Sequence, residues 1–379
     1  PFYSPAARAD DEAFVNAYAD ILQTTVKDAM TAYRDFLANE YKGHAGPGVG
    51  ENPDGEACYA ASVRYHASIS MDADAIHRAG LSEMARIQSE MLRIAQESFG
   101  TDDVKGLLEE LRTNPDYTFR DEQHMLDYLE AAVARGKAAV GDWFGYVPDA
   151  EMVVVPAPAF DKDSGGGFYS AGSADGTRPG IYTAGTYEPT RISQAGQEAT
   201  AFHESYPGHH MQMSIALQNE TAHPILRYMY VAGSGEGWGL YSERLADEMG
   251  VYSDEVARLG MLSNEALRAA RLVVDPGMHV MGWSRDDAIQ YMLDHTTYSM
   301  VGASGEIDRY SAVPGQATSY LLGSMEIQRL RRLAEETLGR NFDIREFHDR
   351  VIANSNVTLP MMGAAVESWI RNKQEQTAN

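Results

Sequence analysis

Apolar residues recur at three- and four-residue spacing from about position 11 to 39 and again from about 72 to 99, with few helix breakers among them. That spacing lines up apolar side chains on one helical face and predicts two long amphipathic helices. Between them, Gly43 to Gly55 is rich in Gly, Pro and Asn and reads as an exposed loop. A further helix is expected from Arg120 to Val140, ending near the Trp143-Phe144-Gly145-Tyr146 turn. From Glu151 to Thr190 the period changes. Met152-Val153-Val154-Val155-Pro156 is a β-branched run, and Phe168-Tyr169-Ser170-Ala171 and Ile181-Tyr182-Thr183-Ala184 are strand-like. Gly165-Gly166-Gly167 and Asp175-Gly176 separate them as turns, so a small antiparallel sheet is expected. Helical pattern then returns. Glu255 to Val274 is amphipathic, and Ser284-Arg285-Asp286-Asp287 caps a helix that runs to about Asp294. A long helix follows Pro314-Gly315 to about Leu338, and segments from Phe342 to Asn354 and from Leu359 to Lys373 close the chain. There is no internal repeat and no low-complexity linker. The expectation is a mainly α chain with one small sheet, forming a single interwoven domain over 1–379: helical to 150, sheet from 151 to 190, and helical again to the end.

One undecapeptide changes the picture: Phe202-His203-Glu204-Ser205-Tyr206-Pro207-Gly208-His209-His210-Met211-Gln212. Imidazole nitrogen suits Zn²⁺, and a neighbouring carboxylate can take a proton from a water that the metal acidifies. In the standard His-Glu-x-x-His motif the two histidines stand at i and i+4 on one face. Here Pro207 occupies i+4, so the second ligand must be His209 or His210. An unbroken helix would carry His210 about 10 Å along the axis from His203, and would turn His209 off that face. Proline removes an intrahelical hydrogen bond and Gly208 relaxes the backbone, so a kink or bulge is expected. Looping out two residues would bring His209 to the place that i+4 normally fills.

A second carboxylate-bearing segment lies downstream, Gly235-Glu236-Gly237-Trp238-Gly239-Leu240-Tyr241-Ser242-Glu243. Two histidines and a glutamate from an adjacent helix make a three-ligand site with a fourth position for water. Glu236 is the expected ligand, because its flanking glycines let helices approach closely. Glu243, seven residues on and on roughly the same face, either orients a histidine from behind or is a solvated helix carboxylate. Trp238 and Tyr241 are expected to pack the ligand helix.

The combination of His-Glu-x-x-Pro-Gly-His-His, Glu-Gly-Trp-Gly-x-Tyr-x-Glu and Pro314-Gly315-Gln316-Ala317-Thr318-Ser319-Tyr320 resembles the DUF885 family, predicted metallopeptidases grouped with zincin-like enzymes. The likeness runs through most of the chain, including Asp175-Gly176-Thr177-Arg178-Pro179-Gly180. It implies zinc, a mostly helical fold and peptide-bond hydrolysis; within that, the residues themselves make His203, His209 and Glu236 the expected ligands and Glu204 the general base. It also singles out Tyr320 as donor to the tetrahedral oxyanion, with His210 second, and Gln316 as a substrate contact. In zincins generally a sheet edge beside the metal helix holds an extended substrate. Arg178 could then meet a substrate carboxylate, or serve only as a turn residue or structural ion pair. Family members are usually longer at the N-terminus, and the chain opens at Pro1, so a fragment or processed form is expected.

Composition narrows the partners. A formal net charge of −24 over 379 residues argues against nucleic acid, because phosphate backbones repel so acidic a chain. No stretch nears the roughly 20 apolar residues that span a bilayer, so a membrane partner is not expected. The single cysteine, Cys58, allows no internal disulfide and fits a reducing compartment, here read as cytoplasmic. It is expected to be a small buried residue rather than a catalytic thiol. His66 and His77 are read as structural or surface histidines. Four alternatives stay open: a non-haem iron site on the same three ligands, a zinc hydrolase of a non-peptide amide or ester, a silent zincin scaffold used for binding, and a purely structural histidine pair. The glutamate directly after His203 favours hydrolysis, since an iron oxygenase has no need of it.

Overall fold

The helical periodicity is realised along most of the chain. The computed structural model describes residues 2–43, 46–158, 167–220, 223–353 and 356–378. These form two units, Pro1–Gly46 and Pro47–Asn379. In the first, α1 (Ser4–Ala7) precedes α2 (Glu12–Ile21) and α3 (Lys27–Asn39), which a π-helical turn over Leu22–Val26 joins into the rod expected from the pattern. Asp11 caps α2 by accepting from the amides of Ala13 and Phe14. Phe14, Ile21, Met30, Tyr33, Phe36 and Leu37 are all exposed on this rod.

The second unit begins with α4 (Gly55–Ala67), α5 (Ala73–Ile94, continued by a π turn over Ala95–Phe99), α6 (Val104–Thr113) and α7 (Glu122–Ala139). Strands β1 (Met152–Pro156), β2 (Phe168–Ser170) and β3 (Gly180–Ala184) follow. Next come α8 (Gln197–Glu204), α9 (His209–Gln218), α10 (Ala232–Glu248) and α11 (Glu255–His279). The chain closes with α12 (Arg285–His295), α13 (Met300–Ala312), α14 (Ser319–Leu338), α15 (Ile344–Ile352) and α16 (Leu359–Ala378). The Ser284–Asp287 capping box forms as expected. Three helices, α4, α6 and α13, have no clear counterpart in the periodicity; α13, for one, is rich in small residues that carry little apolar signal.

The sheet is mixed, not antiparallel. Its order is β1-β3-β2, with β2 antiparallel to β3 and β1 parallel to β3, Met152 opposite Gly180. Alternation identifies strands but carries no direction, and the chain crosses to the far edge of β3 between β1 and β2. Gly165 and Gly166, read as a turn, lie outside the described residues, as do His44, Ala45 and Asn354. Cys58 corrects another expectation: it is exposed, on α4 beside the buried Tyr59.

Helix α11 packs on α5, and α10 packs on α14. The second pairing is unusually close because a Cβ on Gly237 would lie 2.6 Å from Gly323 Cα. Gly239 serves the site directly, since a Cβ there would lie 2.5 Å from the His203 ring. Gly237 and Gly239 thus decide how near α10 comes to its neighbours.

Away from these contacts, α11 extends past the expected end and through Pro276, carrying the fully buried Asp275 to the Pro314-Gly315 turn. Asp275 Oδ2 accepts from Tyr59 Oη at 2.7 Å and from the Gly315 amide at 3.0 Å, while Oδ1 has no hydrogen-bond partner among the described residues and lies 3.9 Å from His279 Nε2. Burial outweighs these bonds and pushes the carboxyl up to about 7. Because the folded value is the higher one, the protonated acid stabilises the fold fully below about pH 4. That contribution is lost as pH rises toward 7, a change on the order of 4 kcal/mol at most. Asp275→Asn, which mimics the protonated acid, is expected to flatten the fall in denaturation free energy between pH 4 and 7. An unchanged pH slope would contradict this.

Candidate metal centre

The His-Glu segment breaks its helix where the proline and glycine stand. Helix α8 ends at Glu204; the backbone leaves helical geometry at Ser205 (φ −115°, ψ −110°) and Gly208 (φ −79°, ψ −133°), with a cis Tyr206–Pro207 bond between. Helix α9 restarts at His209. Trp238 on α10 pins this break by donating Nε1–H to the Pro207 carbonyl at 3.0 Å. The interruption turns His209 back toward His203, their ring centroids 4.7 Å apart and nearly perpendicular.

Glu236 on α10 meets both rings. Its Oε2 lies 3.5 Å from His203 Nε2 and 3.6 Å from His209 Nε2, and the three donor atoms fall within 4.8 Å of one another. A tetrahedral ion with metal–ligand bonds near 2.1 Å separates its ligand atoms by about 3.4 Å. The trio therefore has the spacing of a metal site.

The far side of each ring is also held. His203 Nδ1 lies 2.8 Å from Glu243 Oε1, and His209 Nδ1 lies 2.9 Å from Gln212 Oε1. A carboxylate or amide oxygen can only accept, so Nδ1 of each ring donates there, and Nε2, turned toward Glu236, is the nitrogen that would bind a metal once the metal displaces its proton. Glu243 is buried with Oε2 unpartnered among the described residues, and so is no solvated carboxylate. Burial works against a charged His203, yet Glu236 and Glu243 outweigh it and hold the imidazole up to about 10. Burial likewise opposes ionised Glu236, but the hydrogen bonds of His203 and His209 keep it well below the usual carboxylate range. The cluster attracts positive charge.

Glu204 sits beside this trio, 7% exposed. Burial pushes its carboxyl up and Glu236 adds to the rise, against the pull of His203, His209 and Arg268. A raised carboxyl is a better proton acceptor in its ionised form. Tyr230, which sequence reasoning missed, donates Oη–H to Glu236 Oε1 at 2.6 Å. It lies in an irregular segment ahead of α10, where no spacing rule marks it.

These groups line a cavity of about 1040 Å³, together with Gly167, Phe168 and Tyr169 at the β2 edge and Asn264, Leu267, Arg268 and Arg271 from α11. Tyr320 lines it too, with the guanidiniums of Arg268 and Arg271 4.5 and 4.7 Å from its ring centre. Burial and Glu236 push its hydroxyl above the ordinary value, so it stays a donor.

Three expected residues are not brought to the cavity. His210 turns to the other side of α9, where Nδ1 accepts from Tyr169 Oη at 2.9 Å and Nε2 lies 3.1 Å from the Ala150 carbonyl and 3.0 Å from Tyr206 Oη. Burial lowers it to about 4, leaving a neutral structural ring. Arg178 is exposed in the turn between β2 and β3 and borders a separate small pocket with Asp149 and Glu151. Gln316 is taken up by Arg309, whose Nη1 donates to its Oε1 at 2.8 Å.

The family model described as "Bacterial protein of unknown function (DUF885)" matches residues 1–366. A solved "putative lipoprotein" from Colwellia psychrerythraea superposes with a TM-score of 0.90 at 29% identity, over 98% of this chain and 66% of that one. The chain thus spans about two-thirds of that relative's length. A "putative lipoprotein of unknown function" from Shewanella oneidensis shares the fold with a TM-score of 0.74 at 19% identity, over 96% of this chain and 68% of the other. No curated protein matches the chain.

Proposed function

The chain belongs to the DUF885 family, and from the geometry of its site we propose that it is a zinc-dependent hydrolase that cleaves peptides. The observation that carries this reading is the trio His203, His209 and Glu236, with both imidazole nitrogens 3.5–3.6 Å from one carboxylate oxygen and the raised carboxyl of Glu204 beside it. Held by His203 Nε2, His209 Nε2 and Glu236 Oε2, Zn²⁺ would polarise a scissile carbonyl and acidify a water. Glu204 would accept the proton of that attacking water on its carboxylate and pass it to the departing amine. Glu243 and Gln212 would keep the imidazole lone pairs aimed while this happens. Tyr320, protonated and facing the cavity, would donate to the oxyanion that forms on the carbonyl. The β2 edge beside the cavity offers backbone groups to an extended substrate, which suits a peptide chain.

Incubation of the zinc-replete protein with a mixed peptide library, read by mass spectrometry, is expected to yield defined cleavage products. A chelator should abolish them and added zinc should restore them. A protein that retains stoichiometric zinc yet cleaves no member of the library would remove the peptidase reading.

A further inference from the structure

The cavity also holds cationic groups that the metal chemistry does not use. Asn264, Leu267, Arg268 and Arg271 follow one another at helical spacing along α11 and all face the cavity. Arg271 is 4% exposed; its Nε donates to Tyr310 Oη and its Nη2 to Glu306, but its buried Nη1 has no partner among the described residues. Arg268 is less satisfied still. Its Nε is buried without a partner, and among the described residues its guanidinium makes no ion pair, only the stacking contact with Tyr320. The four carboxylates in the cavity wall do not account for these donors. Glu236 faces the two histidines, Glu243 holds His203, and Glu306 is shared between Arg271 and Arg309. Glu204 is close enough to feel Arg268, yet it forms no ion pair with it. Buried guanidinium donors are costly to leave unmade, and their fork suits the two oxygens of a carboxylate.

We propose that Arg268 and Arg271 form a carboxylate subsite that receives the free C-terminus of a peptide and sets the bond to be cut close to that end. The proposal rests on the hydrolase reading above and names its substrate class. One water is consumed: its oxygen bonds to the scissile carbonyl carbon, the C–N bond breaks, and a proton reaches the new amine. A shortened chain with a new carboxylate leaves, together with a C-terminal amino acid or short peptide. A cavity of about 1040 Å³ has room for a few residues on either side of such a bond. A single carboxylate also fits better than a phosphate, because the surrounding glutamates would repel a second negative charge.

The test compares matched peptides ending in a free acid or in a C-terminal amide. The acid is expected to be cleaved about 10- to 100-fold faster in kcat/KM, the value of one charge-assisted hydrogen bond. Arg268→Met should remove most of that preference through KM, and Arg268→Lys should restore part of it. Thermal melts of each variant show that it is folded. Equal cleavage of acid and amide, or cuts far from the C-terminus, would overturn the subsite and leave the peptidase reading standing. If neither peptide is cleaved, the peptidase reading fails by itself, and calorimetry with an N-acetyl dipeptide decides the subsite. Weaker binding by tenfold or more in Arg268→Met supports it, and equal binding sinks it.

Discussion

Purified after zinc saturation and dialysis, the protein is expected to carry one zinc per chain, and His203→Ala, His209→Ala and Glu236→Ala are each expected to lose it. His210→Ala should keep it. The two adjacent histidines separate because the break at Ser205–Gly208 leaves only His209 with its Nε2 3.6 Å from Glu236, whereas both nitrogens of His210 are engaged by Tyr169, Tyr206 and Ala150. His210→Ala should instead lower stability by about 1–3 kcal/mol, because polar partners remain buried without it. Glu243→Gln should retain the metal with affinity reduced about 10- to 100-fold, the usual cost of disturbing a group that orients a ligating histidine. Elemental analysis gives the stoichiometry and a competing chelator the affinity. Zinc lost from His210→Ala but kept by His209→Ala would refute the assignment.

The second large effect is expected from Glu204→Gln. The amide matches the carboxylate in size but cannot take a proton, so turnover should fall about 10²- to 10⁴-fold with zinc content unchanged. That pairing separates a base from a ligand. Glu204 differs from Glu236 in its direction: burial pushes it up, while Glu236 is held down by two imidazoles. Only the first is suited to gain and release a proton during the reaction. Unchanged turnover would show that Glu204 is not the base, and loss of metal would show that it is a ligand instead.

Much of this was legible in residue order. His203 beside Glu204 and Glu236 between glycines stand out as motifs, and helical spacing put Glu243 on roughly the face of Glu236 while leaving open whether it oriented a histidine or met solvent. The Ser284–Asp287 cap and the major helices are local in the same sense, since their hydrogen bonds close within four residues. What lay beyond reach depended on contacts between distant segments. The kink expected at Pro207-Gly208 already favoured His209 over His210, but its form, set by the backbone angles at Ser205 and Gly208 and pinned by Trp238 from another helix, was not readable in the sequence. The parallel pairing of β1 with β3 turned on a chain crossover that strand patterning does not encode. Arg178, left open between a substrate carboxylate and a turn, went to an exposed turn, while Arg268 and Arg271 came to the cavity from a helix that reads only as amphipathic. In a pattern, a charge on a helix means only that it avoids the core. Whether it then meets water, a partner or an enclosed cavity is decided by which other elements pack around it, and that information enters only when the chain closes on itself.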